Sequence, residues 1–181
     1  MTKALIPLAE GVEEIEAVII VDTLRRARWH VVTAAVTPQP ITASRGVRLL
    51  ADADWVTVDP SAFDILILPG GAVGTRHLIA SDSVLRAVRN FHQHGKPVAA
   101  ICAAPLVLQA AGILSGVKAT CHPGVSAELT ATRRLEDRVV IDGNIITSQG
   151  PGTAFEFTLA ILAHMDGPKA LDAVVPGLVL K

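Results

Sequence analysis

Four nearly unbroken apolar runs, residues 4–9, 31–36, 65–69 and 98–102, constrain this chain more than any other feature. A strand with one wet face alternates apolar and polar residues. Uninterrupted runs of this length therefore belong to strands covered on both faces, the condition of a parallel sheet sandwiched by helices. Helical patterns lie between them. In 14–28, EIEAVIIVDTLRRAR, residues Ile15, Val18, Ile19, Asp22 and Leu24 recur at roughly helical spacing, and 82–95, DSVLRAVRNFHQHG, ends on a glycine stop. The segment 45–59 alternates as a hairpin or edge element, and 138–149 carries Asp142-Gly143 between two β-rich runs, a strong hairpin signal. Residues 150–167 start a helix with Pro151 in its first turn. The expected architecture is α/β: a flavodoxin-like doubly wound sandwich with a mostly parallel central sheet. It forms one domain over 1–181, and ligands sit outside the carboxyl ends of the strands.

Composition closes off other classes. Hydrophobic residues make up 50% of the chain and charged residues 18%, so much of the surface must be hidden in a core or an oligomer interface. Lys and Arg number 16 against 17 Asp and Glu, and two Trp, four Phe and no Tyr leave neither a basic patch nor a stacking platform for nucleic acid. Residues 97–117 carry no charge, the length of a membrane span. Pro105, Gln109, Gly112, Ser115 and Gly116 interrupt that run, which reads better as a buried strand passing into a buried helix. Cys102 and Cys121 are too few for a disulfide framework and wrongly spaced for a zinc site. With no signal-peptide pattern at the N-terminus, the expectation is a cytoplasmic protein without a metal or membrane association.

AAICAAP at 99–105 sets Cys102 at the end of the fourth run. A free cysteine is commonly inert packing material. Small neighbours also let a side chain stand exposed on a strand-to-helix elbow, where amides at the start of the new helix favour a thiolate and lower its pKa. LPGGAVG, 68–74, ends the third run in consecutive glycines; Gly70 and Gly71 suit either a tight turn or the backbone donors of an oxyanion hole. No Gly-Lys-Ser/Thr follows, which argues against a phosphate loop. In AEGVEEIEAV, 9–18, Glu10, Glu13 and Glu14 read as carboxylates that serve the helix dipole and face solvent. Glu16, between Ile15 and Ala17, is placed to be buried, protonated and able to donate to a thiolate. TCHPG, 120–124, offers His122 before a Pro-Gly break as a structural or a catalytic group, whereas His30, His77, His92, His94 and His164 lack such surroundings.

Taken in order, EGVEEIEAV with Glu16, ASRGV with Arg45, LPGG with Gly70 and Gly71, AAICAAP with Cys102, HP at His122 and TSQGPGTAFEF at 147–157 form a specific set. Over nearly the whole chain they resemble the ThiJ/PfpI superfamily, in the branch of the human Parkinson-associated DJ protein and its bacterial homologues. The resemblance implies a nucleophilic Cys102 on a strained elbow, with Glu16 hydrogen-bonded to it and His122 nearby. It also implies an oxyanion held by the amides of Gly71 and Ala103, Arg45 beside the substrate, and a homodimer with the first helix in its interface. The implied activity is a cofactor-independent glyoxalase or protein deglycase acting on methylglyoxal, glyoxal or their early adducts on protein side chains, a protection against carbonyl and oxidative stress. The alternative is a redox-sensing or chaperone-like protein that uses oxidation of the same cysteine. Ala103 stands where the protease-like branch has a histidine beside the cysteine, which argues against a Cys-His protease dyad. Leu50 and Gln149 replace a cysteine and an arginine of the human member.

Overall fold

The structure, a computed structural model, describes residues 1–180. Along the chain run β1 (Lys3–Leu8), α1 (Glu14–Arg26), β2 (His30–Ala35), β3 (Ile41–Thr42), β4 (Arg48–Leu49), β5 (Ala53–Asp54), β6 (Ile65–Leu68), α2 (Ala72–Ala80) and α3 (Asp82–Gln93). There follow β7 (Val98–Ile101), α4 (Pro105–Ala110), β8 (Lys118–Ala119), β9 (Arg133–Arg134), β10 (Val139–Asp142), β11 (Ile145–Ser148), α5 (Ala154–Asp166) and α6 (Val175–Leu178). Seven strands form the main sheet in the order β10-β11-β7-β6-β1-β2-β5. Every neighbouring pair is parallel except β10 with β11. The four apolar runs are β1, β2, β6 and β7, each within one residue of the expected bounds.

Their unbroken hydrophobicity has a direct cause: alternate residues enter two core layers on opposite faces. Leu5, Leu66, Leu68, Val98 and Ala100 meet Val84 and Val88 of α3 and Leu108 of α4. Ala4, Ile6, Ile65, Ile67 and Ile101 meet Ile20 and Leu24 of α1 and Phe157 and Ile161 of α5. Each large aliphatic side chain so buried contributes roughly 1.5–3 kcal/mol. Among the described residues, no helix is long and apolar enough to cross a membrane.

Two local expectations shift. The apolar stripe Ile15, Val18, Ile19 on α1 is largely its outer face: Ile15 is 51% and Val18 52% exposed, while Glu16, Ala17, Ile20, Thr23 and Leu24 are buried. A helix with apolar residues on both sides does not declare by periodicity which side meets the sheet. The β10–β11 loop is Gly143-Asn144, one residue later than Asp142-Gly143, with the positive φ of +59° at Gly143.

The chain lays β2 on one side of β1 and β6 on the other. Strand order thus reverses between β1 and β6, and such a reversal opens a crevice outside the carboxyl ends of the strands. The loops after β1, β6 and β7 all arise at that end.

Candidate active site

At the end of β7 the backbone turns at Cys102 with φ +66°, a conformation that costs a residue with a Cβ about 1–3 kcal/mol. Neighbouring strands and loops hold it there. The Cys102 N–H donates to Ser148 O at 3.0 Å, and Cys102 O accepts from the His122 N–H at 2.8 Å. Strand alternation would send residue 102 to the layer of Val98 and Ala100. The left-handed turn instead packs Cys102 against the opposite layer, that of Ile101 and α1. Buried Ala103 and Ala104 leave room for this turn. The half-buried Cys102 opens onto a pocket of about 440 Å³ whose walls include Glu13, Ser44, Arg45, Gly71, Ala103 and His122.

Glu16 comes to Cys102 from α1. It is fully buried, its Oε2 accepts from the Gly70 N–H at 2.7 Å, and its carboxyl interacts with the Cys102 thiol, while Oε1 has no hydrogen-bond partner. Only glycine permits this approach. A Cβ on Gly70 would lie 2.6 Å from Cys102 Cβ and 2.9 Å from Glu16 Oε2. Burial pushes Glu16 up to about 7, against the Gly70 and Cys102 hydrogen bonds and with help from the charge of Glu13. Burial and the negative Glu16 push the Cys102 thiol up to about 12, against the amides of Gly71 and Ala103. The two groups titrate as a pair: one proton leaves near 7, the second is held, and between these limits a single proton serves both sulfur and carboxyl.

Three expectations are corrected here. The elbow does not lower the thiol pKa as a helix terminus would, because α4 has only six residues and burial beside an acid dominates. Gly70 is not an oxyanion donor, since its N–H is spent on Glu16; the amides facing the sulfur are those of Gly71 and Ala103. Nor do Glu10, Glu13 and Glu14 simply face solvent. Glu10 Oε2 accepts from the Thr42 N–H at 2.8 Å, Ser44 Oγ lies 2.7 Å from Glu13 Oε2 and 2.8 Å from Glu14 Oε2, and Glu14 Oε1 accepts from the Arg45 N–H at 2.9 Å. These carboxyls fasten the segment 42–45 over the site and carry Arg45 to the pocket wall. Against the cost of burial, the hydrogen bonds hold Glu14 below the ordinary carboxylate range.

Glu13 and Ser44 are pocket residues that the sequence reading missed. The available signal was spacing, since Glu13 precedes Glu16 by three residues and so shares its side of the helix start. His122 is exposed and lines the pocket, with Nδ1 accepting from the Gly124 N–H at 3.0 Å; its side chain has no hydrogen bond to Cys102 or Glu16. Arg45 is exposed, and its Nη1 donates to Ser44 O at 3.3 Å. Cys121 is buried, its side chain packed in the core layer on the opposite face of the sheet from the one Cys102 meets, and it does not line the pocket. A half-buried thiol, a buried carboxyl whose pKa is raised and two convergent amides are groups that addition to a carbonyl carbon calls on: a nucleophile, an acid and donors for a developing oxyanion.

The DJ-1/PfpI family model matches residues 2–164. Protein DJ-1 homolog B of Arabidopsis thaliana is 42% identical over 165 residues, 90% of this chain and 38% of that protein. The chain spans 38% and 44% of the length of the two Arabidopsis relatives it matches. The Caenorhabditis elegans protein named glutathione-independent glyoxalase DJR-1.2 is 36% identical over 173 residues, 94% of this chain and 92% of that one. The crystal structure of Drosophila melanogaster DJ-1beta superposes with a TM-score of 0.95 at 38% identity, covering 99% of this chain and 98% of that one.

Proposed function

Because this chain belongs to the DJ-1/PfpI family, we propose that it is a glutathione-independent glyoxalase, and by the same chemistry a deglycase, with Cys102 as nucleophile. The observation that carries this reading is the buried Glu16 carboxyl, with one unpartnered oxygen, set against a thiol on a strained elbow. The thiolate adds to the aldehyde carbon of methylglyoxal; the S–C bond forms, and the carbonyl pair moves onto oxygen, held by the Gly71 and Ala103 amides and protonated by Glu16. Glu16, now a carboxylate, removes the hydrogen from that carbon and returns it to the adjacent carbon through an enediol, leaving a lactoyl thioester. Water cleaves the thioester, releasing lactate and the thiol. The sum is one methylglyoxal and one water to lactate and a proton, with no external electrons. His122, whose Nδ1 is already an acceptor, carries its proton on Nε2 when neutral and is an acid for the second carbonyl oxygen.

The test is methylglyoxal consumption and lactate formation without glutathione. The wild type is expected to make lactate, and Cys102→Ser to lose at least about 10²-fold in rate, because a neutral hydroxyl is a far weaker nucleophile. An undiminished Cys102→Ser rate would sink the reading. A second reading rests on the same amides: with Glu16 they would hold oxygens bonded to the sulfur, as in a sulfinate, and Cys121, buried in the opposite core layer, offers no resolving thiol. Oxidation of Cys102 without any lactate formation would select that redox-responsive role.

We also propose a homodimer through the outer face of α1. Ile15, Val18 and the nearby 78%-exposed Leu50 leave apolar surface uncovered there, and burying it contributes about 25 cal/mol per Å². Light scattering at micromolar concentration is expected to give the dimer mass; a monomer mass would refute it.

A further inference from the structure

Glu13 stands one helical turn before Glu16, and both are tied to one peptide. The Glu13 N–H donates to Gly70 O at 3.0 Å, and the Gly70 N–H donates to Glu16 Oε2 at 2.7 Å. Glu13 is 8% exposed and lines the Cys102 pocket, and its carboxyl is engaged by Ser44 Oγ at 2.7 Å. The other charged or titratable groups around it are accounted for. Glu14 shares Ser44 Oγ at 2.8 Å and takes the Arg45 N–H. The Arg45 guanidinium donates to Ser44 O, and His122 turns Nδ1 to Gly124. Among the described residues, the ion pairs are made by Arg25, Arg26, Arg134 and Arg138, so none neutralises Glu13.

We propose that Glu13 is a positioning residue that decides where the shared proton of the Cys102–Glu16 pair sits, favouring the thiolate with a protonated Glu16 over the thiol with a carboxylate. The reason is electrostatic: a negative charge beside Glu16 penalises a second negative charge there, and Cys102 feels it less. The charge of Glu13 bears on Glu16, whereas the charge that bears on Cys102 is that of Glu16. The step is internal and balanced: the S–H bond breaks, an O–H bond forms on the carboxyl of Glu16, whose Oε1 has no hydrogen-bond partner, and no further reactant enters. The inference rests on Cys102 being the reactive thiol of the proposed function, but not on the identity of the substrate.

Iodoacetamide alkylation of Cys102 in the full chain, followed by mass spectrometry across pH, separates the two. For the wild type, labelling is expected to rise to a plateau at a pH below that of an ordinary thiol, as the pair loses its first proton. Glu13→Gln keeps an acceptor for Ser44 but removes the charge. Its midpoint is expected to fall by about one pH unit and its plateau by roughly three- to tenfold, while Glu13→Asp restores both toward wild type. The shorter pair Glu13→Asn and Glu13→Asp repeats the comparison should glutamine disturb folding, checked by thermal unfolding. A purely structural role would leave the midpoint where it is, so a wild-type profile in the neutral variants overturns the inference. A wild-type Cys102 that labels only as an ordinary thiol, near a pKa of about 8.5, overturns the reactive-thiol reading and the inference with it.

Discussion

Glu16→Gln is expected to cut lactate formation about 10²–10⁴-fold, the usual worth of general acid–base help, while Cys102 remains open to alkylation. Glutamine keeps an acceptor for the Gly70 N–H and a donor toward the sulfur, and it removes the carboxylate charge that pushes the thiol up. It has no proton to give to the hemithioacetal oxygen and no basic oxygen to take the carbon-bound hydrogen. Addition survives; rearrangement stalls. Glu16→Asp withdraws the carboxyl by one methylene from both Gly70 and the sulfur and is expected to lose turnover as well. Lactate assays run beside iodoacetamide labelling check this. Unchanged turnover in Glu16→Gln would reduce Glu16 to a support for the thiolate and move proton transfer to His122 or solvent.

The second large effect is expected at Gly71, where the loops after β1 and β6 touch. Its φ is +92°, and a Cβ there would stand 2.3 Å from Gly11 O and 2.7 Å from the Glu13 N. Both are backbone atoms, unable to rotate aside. Left-handed strain of about 1–2 kcal/mol and an overpacking cost of roughly 1–3 kcal/mol together make Gly71→Ala destabilising by about 2–5 kcal/mol. For a chain of this size that is a fall in Tm of roughly 5–15 °C. The same displacement would turn the Gly71 amide from the sulfur, so activity should fall beyond what stability explains. Gly152 is the control, since a Cβ there meets nothing within 4 Å and its φ is not in the left-handed region; Gly152→Ala should stay within about 0.5 kcal/mol. Equal melting of the two variants would contradict this account of the loop contact.

Much of this was legible in the sequence because it follows from burial and backbone chemistry. The runs at 4–9, 31–36, 65–69 and 98–102 announce strands with two covered faces, and a cysteine between small residues at the end of one of them announces an elbow. Glu16 stood out as an acid in an apolar stretch, and the structure buries it against the thiol. What escaped depended on contacts between distant segments. Nothing local says that the Gly70 N–H goes to Glu16 rather than to an oxyanion, or that Ser44 crosses to Glu13 and Glu14. The outward turn of Ile15 and Val18 was hidden because α1 has apolar residues on both sides. The thiol's raised pKa follows from the enclosure that the sheet and α1 create together, which a reading of the elbow alone cannot weigh.

Mass spectrometry of protein quenched during turnover with methylglyoxal, without glutathione, shows which atom the substrate meets. A substrate-derived adduct is expected on Cys102, none on the buried Cys121, and the adduct should accumulate in Glu16→Gln, where its breakdown is slowed. Lactate accumulating while Cys102 stays unmodified in both proteins would contradict Cys102 as the nucleophile.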